Sequence, residues 1–255
     1  VQMLMIGDMQ QLPPVVKEQE WNLLRNHYRT AYFFGSLALG KSEFVTITLQ
    51  HVYRQQDQGF LSILNKIRDK KVDQQVVDSL SDRYKPGFTD EDENYITLTT
   101  HNAKAKNINE NKLRELEGET MRFLAKVDGD FPEYSYPTEY DLELKVGAQV
   151  MFVKNDPEVE KRFYNGKIGT VTHMDDEGVI VVSEGEEPIE VKALEWQNIK
   201  YSIDNDTKEI SEEVEGSFIQ IPLKLAWAIT IHKSQGLTFD RVIIDSQMAF
   251  AHGQV

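Results

Sequence analysis

The stretch LAWAITIHKSQGLTFDRVIID at residues 225–245 decides the fold. Its two apolar segments, Leu225–Ile231 and Arg241–Asp245, are typical of buried strands in an α/β domain. Between them, residues 230–238 crowd hydroxyl, imidazole, ammonium, amide and glycine groups into one short loop. Ligands of open α/β folds bind at the carboxyl edge of the sheet, and these groups suit contacts with phosphate. Polar loops after strands are common, so the interpretation needs support from the rest of the chain.

Upstream of this stretch, strand-like and helix-like patterns alternate. Apolar or β-branched runs predict strands at residues 1–7, 44–49 and 95–99. Apolar residues at helical spacing predict a helix from Trp21 that ends between Gly35 and Gly40. Further helices are predicted around residues 60–67 and 76–84, the latter broken at 85–87, and over 102–117. This alternation favours a mostly parallel α/β sheet.

Residues 120–221 have a different pattern. Short strand-like runs follow one another closely, separated by turn sequences such as Asp175-Asp176-Glu177-Gly178. The runs lie at 148–154, 168–174, 179–183, 188–192 and 217–221. Close spacing of short strands predicts a small antiparallel barrel or sandwich, inserted within the α/β domain.

Composition excludes several classes of protein. The 255 residues include no cysteine, which removes disulfide scaffolds, thiol nucleophiles and cysteine-ligated zinc, and fits a reducing, cytoplasmic setting. No apolar run is long enough for a membrane span, and no secretory signal is visible. The net charge is −14, a poor sign for nucleic-acid binding. However, residues 175–217 hold 14 acids and 3 lysines, which leaves −3 for the rest. A basic groove elsewhere stays possible on charge.

One phosphate-loop match is rejected. Residues 35–42, GSLALGKS, fit G-x-x-x-x-G-K-[ST], which needs a preceding strand and a following helix. Here the predicted helix precedes the match and the predicted strand follows it. Gly40 and Lys41 instead occupy the positions of a helix C-cap and of a cation that compensates the helix dipole.

Two more segments place polar groups after predicted strands. GDMQQLPPV at residues 7–15 puts Asp8 and Gln11 at a strand end before a proline turn, a pattern that composition alone explains better as a rigid surface turn. LQHVYRQ at 49–55 puts Arg54 after the predicted strand at 44–49, where an arginine can bind an anion or simply be solvated.

Taken together, these segments resemble the motifs of superfamily-one DNA helicases, most of all the 5′→3′ group of Pif-type and RecD-like enzymes. GDMQQLPPV, LQHVYRQ and AITIHKSQGLTFDRVIID occur in that family's order, and the segments at 98–109, 146–156 and 162–171 agree with it. The resemblance implies two RecA-like domains, the second with an inserted SH3-like β module. Residues 1–40 would then end the first RecA-like domain, 41–120 and 218–255 would form most of the second, and 121–217 the module.

The resemblance also implies roles for individual residues. Gln11 would sense the γ-phosphate of ATP, and Arg54 would reach it from the second domain; both are the candidate catalytic residues. The implied nucleotide-binding set is Asp8, Gln11, Arg54, Gln235 and Gly236, and the implied DNA-binding set is His101, Asn102, Thr230, His232, Lys233 and Ser234. Asn165-Gly166 fits either a turn or a DNA contact.

The family's phosphate loop and Mg²⁺-binding carboxylates are not found in this sequence, and HGQV at 252–255 matches only the start of its last motif. We therefore expect a fragment of a longer chain that is inactive alone, with ATP and Mg²⁺ used by the full-length protein. The expected partners are single-stranded DNA and duplex junctions, with a full-length monomer and a fragment dimer only as a product of truncation. Alternatives are an NTPase acting on RNA or protein, and a non-enzymatic partner-binding module.

Overall fold

A computed structural model describes residues 3–11, 14, 16, 18–49, 51–53, 55–88, 95–203, 210–239 and 241–249. The chain divides into two compact units, Val1–Glu91 with Ala249–Val255, and Asp92–Met248. The predicted boundaries at residues 40, 120 and 217 stay a prediction.

Five helices and thirteen strands are described. The helices are α1 Glu18–Leu24, α2 Gln58–Arg68, α3 Gln74–Ser81, α4 Asn102–Glu115 and α5 Ile231–Ser234. The strands are β1 Ile96–Thr99, β2 Met121–Leu124, β3 Lys126–Gly129, β4 Asp141–Leu144, β5 Gln149–Phe152, β6 Ile168–Asp175, β7 Gly178–Val182, β8 Ile189–Val191, β9 Leu194–Ile203, β10 Ile210–Gln220, β11 Leu223–Leu225, β12 Ala228–Thr230 and β13 Val242–Ile244.

The stretch at 225–245 forms two strands of a three-stranded parallel sheet in the second unit. The order is β12-β1-β13, so the strands that flank the polar loop lie on either side of β1. Helix α4 is tied to this sheet through Asn109, whose amide donates to the Ala228 carbonyl and accepts from the Ala228 N–H, each at 2.8 Å. The mixed α/β fold with a parallel sheet is confirmed.

The rest of the second unit is antiparallel. The largest sheet has the order β11-β5-β6-β7-β8, and two smaller sheets have the orders β3-β10-β9 and β2-β4. Strands β5 to β8 lie at the runs predicted from sequence, whereas β2, β3, β4 and most of the β9–β10 pair were not predicted. Strand β10 has the acidic sequence ISEEVEGSFIQ, and its charged residues are not typical of a strand. Its pairing with β9 makes it one.

Strand β5 lies between two hydrophobic cores. Its Val150 and Phe152 belong to the larger core, together with Val171, Val181 and Leu223. Its Met151 points the other way, since side chains alternate along a strand, and packs with Ile96, Ala226 and Ile229. Strand β5 of the antiparallel module therefore also packs against the parallel sheet.

The first unit is built from helices. Asp57 and Asp73 cap α2 and α3 by accepting from the backbone N–H groups of Phe60 and Val76, each at 3.0 Å. The helices predicted around 60–67 and 76–84 are confirmed, and Gly87 in the break after α3 has a φ of 74°.

Two strand predictions in this unit are wrong. Residues 3–7 and 44–49 are described without regular secondary structure, and their apolar side chains are exposed, Leu4 by 81% and Val45 by 88%. An apolar run becomes a strand only when a neighbouring strand satisfies its backbone groups. Among the described residues, neither segment has such a neighbour.

The helix predicted from Trp21 is also shorter than expected. Helix α1 ends at Leu24, and short 3-10 turns follow at Phe33–Gly35 and Leu39–Lys41. The rejected phosphate-loop match thus lies in turns, without the strand and helix that a phosphate loop requires. The expected strand after the match is not described, and α1 ends well before it. The arguments from element order and from a helix C-cap at Gly40 and Lys41 were therefore wrong.

Candidate functional site

The carboxyl ends of the three parallel strands bring most of the predicted DNA-binding residues to one edge. Thr230 ends β12, His101 and Asn102 follow β1, and Asp245 follows β13. Thr230 lies beside Thr99 in the strand register. Because parallel strands end at the same edge, these groups lie together at the carboxyl edge of the sheet, where open α/β folds bind ligands.

Residues after β12 form the turn that displays the polar groups. Thr230 is itself buried, 4% exposed, whereas Lys233 on α5 is exposed. The Ser234 hydroxyl donates to the Ile231 carbonyl at 2.8 Å, which closes the short helix. Gly236 has a φ of 84°, so this turn requires a left-handed residue directly after Gln235.

The segment after β1 places the amino end of α4 at the same edge. His101 is the N-cap residue, and its side chain forms no capping bond. Its Nδ1 lies 2.7 Å from the Thr100 hydroxyl, and its carbonyl accepts from the Thr99 hydroxyl at 3.1 Å. The N–H groups of the first helical turn, from Asn102 onwards, are thus available to an anion.

An ion pair links this helix to the third strand. Lys104 donates to the Asp245 carboxylate, which also accepts from the Gln247 N–H. The Lys104 hydrogen bond is the main reason that the pKa of Asp245 lies below its ordinary value. The edge therefore has a fixed carboxylate next to the helix N-terminus, and the cation that neutralises it.

In the first unit, Asp8 and Gln11 come together. The Asp8 carboxylate accepts from the Gln10 N–H at 3.0 Å, the Gln11 amide at 3.2 Å and the Arg68 guanidinium at 3.2 Å. These contacts, the Gln10 bond most of all, hold the pKa of Asp8 below its usual value, against a smaller opposite effect of burial. Arg68 ends α2 and was not identified from sequence, because 60 residues separate it from Asp8.

The other implied nucleotide-binding residues are divided. Gln235 and Gly236 belong to the second unit, whereas Asp8 and Gln11 belong to the first. Arg54 lies outside the described residues, so its predicted role stays a prediction.

Asn165-Gly166 forms a tight turn against the polar loop. The Asn165 N–H donates to the Asn155 side chain at 2.8 Å, and the Gly166 N–H donates to the Phe152 carbonyl at 2.8 Å. Gly166 has a φ of 97°, and a Cβ there would lie 2.5 Å from the Leu237 side chain. These contacts and the positive φ support the interpretation of Asn165-Gly166 as a turn. The missing side chain of the glycine lets Leu237 approach the antiparallel module.

The described residues give no basis for a Mg²⁺ site. They contain no group of three histidine or acidic side chains placed to hold a metal, and Asp8 is already bound by three donors. In the same part of the chain, no helix is both long and apolar enough to cross a membrane.

A parallel sheet with polar groups at its carboxyl edge is that of an α/β protein, and comparisons with known proteins identify the fold as RecA-like. The chain is 30% identical to the ATP-dependent DNA helicase Pif1 of Campylobacter jejuni, over 99% of this chain and 58% of that protein. It resembles the crystal structure of Bacteroides sp. Pif1 in complex with ADP-AlF4, with a TM-score of 0.82 and 38% identity over 97% of this chain and 56% of that one. Bacteroides Pif1 bound to single-stranded DNA gives a TM-score of 0.70 and 39% identity over 100% of this chain and 58% of that one.

The chain is therefore similar to Pif1 helicases along almost its whole length, which confirms the resemblance found in the motifs. No protein-family model matches it. The chain spans a little over half the length of these relatives, 58% of the Campylobacter jejuni protein and 56% of the Bacteroides sp. Pif1 chain.

Proposed function

We propose that this chain serves in an ATP-dependent DNA helicase that translocates on single-stranded DNA and unwinds duplex DNA. The observation that carries the proposal is the meeting of His101, Asn102, His232, Lys233 and Ser234 at one sheet edge. The names of the Pif1 relatives and the single-stranded DNA bound by Bacteroides Pif1 support it.

In this proposal the edge holds the DNA backbone. Lys233 supplies an exposed cation, and the first turn of α4 supplies backbone N–H groups beside His101 and Asn102. Ser234 holds the turn through its hydrogen bond to the Ile231 carbonyl, His232 donates to phosphate, and the buried Thr230 fixes the end of β12. Such contacts bind phosphates without reading sequence, as a translocating enzyme needs.

ATP is the proposed fuel. Gln11 would sense the γ-phosphate, held in place by Asp8, which is itself held by Arg68. Arg54 would stabilise the charge that develops during phosphoryl transfer, with Gln235 and Gly236 near the nucleotide. Closing and opening of the nucleotide cleft would move the DNA contacts past one another.

We also infer that these 255 residues alone do not hydrolyse ATP, because their sequence lacks the phosphate-loop and Mg²⁺-binding motifs of the family and the GSLALGKS match lies in turns. Clear turnover by the purified chain, above that of an Arg54→Ala control, would contradict this. Junctions of single-stranded and duplex DNA are the proposed substrate, and a monomer is the proposed state of the full-length protein.

The test uses a longer protein that carries this chain together with a phosphate loop. Its ATPase rate is measured with and without single-stranded DNA, alongside Arg54→Ala. We expect single-stranded DNA to stimulate the ATPase rate strongly. Arg54→Ala should lower the stimulated rate by about a thousandfold, as for other arginines that stabilise phosphoryl transfer. Arg29→Ala, an exposed arginine of the same unit, serves as the matched control and should leave the rate unchanged.

Other outcomes identify other functions. Stimulation by RNA but not by DNA would replace DNA with RNA as the substrate. An unstimulated rate would favour an NTPase that acts on protein. Partner capture that needs residues 121–217 but neither Arg54 nor Lys233 would favour a binding module.

A further inference from the structure

A cleft in the second unit lies beside the predicted DNA-binding turn but includes residues that the motifs do not assign. Its volume is about 520 Å³, within the range of ligand pockets. It is lined by side chains from the segment before β4, from β11 and from α5: Glu133, Tyr136, Glu139, Tyr140, Lys224 and Lys233.

Buried hydrogen bonds fix the wall of this cleft. The Thr138 hydroxyl, 3% exposed, donates to the Leu223 carbonyl at 2.6 Å. The buried Gln220 amide donates to the carbonyls of Phe123, Glu139 and Tyr140 at 2.7, 3.2 and 3.1 Å. The cleft is therefore preformed, since the chain that carries its tyrosines is anchored to β10 and β11.

One side of the cleft is aromatic. Tyr136 packs on the fully buried Phe218 with ring centroids 4.7 Å apart, and Tyr140 stacks on Tyr136 at 6.3 Å with an interplanar angle of 24°. Tyr140 remains 48% exposed. A supported, partly exposed ring of this kind is a surface on which a nucleic-acid base stacks.

Two lysines also line the cleft. None of the ion pairs among the described residues includes Lys224 or Lys233. Burial lowers the pKa of the Lys224 ammonium, the nearby charge of Lys233 lowers it further, and Glu139 acts in the opposite direction. Two ammonium groups held close together in a partly dry cleft favour an anion between them.

We propose that this cleft holds one nucleotide of the single-stranded DNA, with its phosphate between Lys224 and Lys233 and its base against Tyr140. The inference rests on the proposed function, because it extends the DNA path from the sheet edge to the antiparallel module. Lys224 and Tyr140 become binding residues that the motifs do not include.

The two carboxylates in the cleft agree with a single phosphate. Glu133 and Glu139 are both exposed, and they repel any further phosphate brought close to the pair of lysines. One strand threaded past the cleft places one phosphate between the lysines, whereas a duplex would bring a second backbone towards the acids.

The experiment measures binding of a fluorescent oligothymidylate to the 255-residue chain over a series of salt concentrations. We expect Lys224→Gln to weaken binding and to lower the salt slope by about 0.7, the value for one phosphate of a single strand. Tyr140→Ala should weaken binding about fivefold or more, and Tyr140→Phe should retain affinity because the ring is kept. Glu139→Gln should tighten binding.

Lys192→Gln is the matched control, since it removes an exposed lysine that pairs with Glu190 outside the cleft. Thermal unfolding of every variant shows whether the fold is retained. If the chain binds DNA and Lys233→Gln weakens it, but Lys224→Gln and Tyr140→Ala behave like Lys192→Gln, the cleft proposal is overturned and the DNA function stands. If the unmodified chain binds no oligothymidylate, the cleft proposal fails, and the ATPase test on the longer protein decides the DNA function.

Discussion

The two units differ in what they do with similar apolar residues. Among the described residues of the second unit, 22 apolar residues are buried, and 18 of them form two cores that both include residues of β5. Among the described residues of the first unit, Val76 is the one apolar residue that is buried. Phe44, Val45 and Ile47 read like a strand yet are 59%, 88% and 79% exposed. An apolar sequence thus shows a tendency to be buried, and the neighbouring strands decide whether burial occurs.

This difference in packing indicates which unit is more stable, and the candidate site lies on that unit. Strand β5 is buried on both faces, so the parallel sheet and the antiparallel module stabilise each other. The first unit is held by helix caps and by exposed ion pairs such as Lys66–Asp73, which contribute little. The proposed DNA-binding residues lie on the better-packed unit, and a rigid scaffold suits precise contacts.

The strongest way to break this comparison is a pair of phenylalanine substitutions. Phe152→Ala removes a fully buried ring that stacks on Phe163 at 4.5 Å, and we expect a loss of about 3–5 kcal/mol in the free energy of unfolding. Phe44→Ala, from the exposed run, should cost less than about 0.5 kcal/mol. Denaturant unfolding followed by tryptophan fluorescence measures both. Equal losses would show that Phe44 is buried in solution.

A neighbouring pair sharpens the comparison inside the first unit. Val76→Ala should cost about 2 kcal/mol, because two methyl groups leave a fully buried site. Val77→Ala, whose side chain is 45% exposed, should cost about 0.5 kcal/mol or less. Proteolysis of the native chain, which follows local opening, gives the readout for this unit. Indistinguishable cleavage rates would mean that Val76 is not a core residue.

The turn at Gly166 tests the link between the antiparallel module and the polar loop. Gly166→Ala should destabilise the second unit by about 2 kcal/mol, because a φ of 97° is strained and the new Cβ meets Leu237. Gly185→Ala, with a φ of 73° and open space around it, should cost about 1 kcal/mol. Thermal unfolding measures both. Adding Leu237→Ala should recover part of the Gly166→Ala loss, and no recovery would argue against the contact.

The smallest expected effect concerns the titration of Asp8. Its folded pKa lies below the usual 3.8, so its hydrogen bonds stabilise the chain fully above that pH and are lost as the pH falls through the folded pKa. Arg68→Gln should raise the pKa of Asp8 towards 3.8, by less than loss of the Gln10 bond would. Carboxyl carbon chemical shifts in a pH titration measure it. An unchanged pKa would remove Arg68 from this site.

The sequence predicted best those elements whose contacts lie between residues close together in the chain. Helix α4 was predicted at 102–117 and is described at Asn102–Glu115, since its cap, apolar spacing and preceding strand are all continuous in the chain. The polar loop at 230–238 was recognised in the same way. Contacts between distant residues were not predictable: Asn109 reaches Ala228, Arg68 reaches Asp8, and Thr138 reaches Leu223. Lys224 and Tyr140 therefore became candidates only once the fold placed them in one cleft.

The most direct test of the proposed DNA-binding edge is amide hydrogen exchange of the 255-residue chain with and without oligothymidylate. We expect slower exchange at residues 101–104 and 231–236, where the backbone would contact phosphates. Exchange along strands β9 and β10 should not change. Protection confined to the first unit or to β9–β10, with none at 101–104 and 231–236, would contradict the assignment of this sheet edge to DNA.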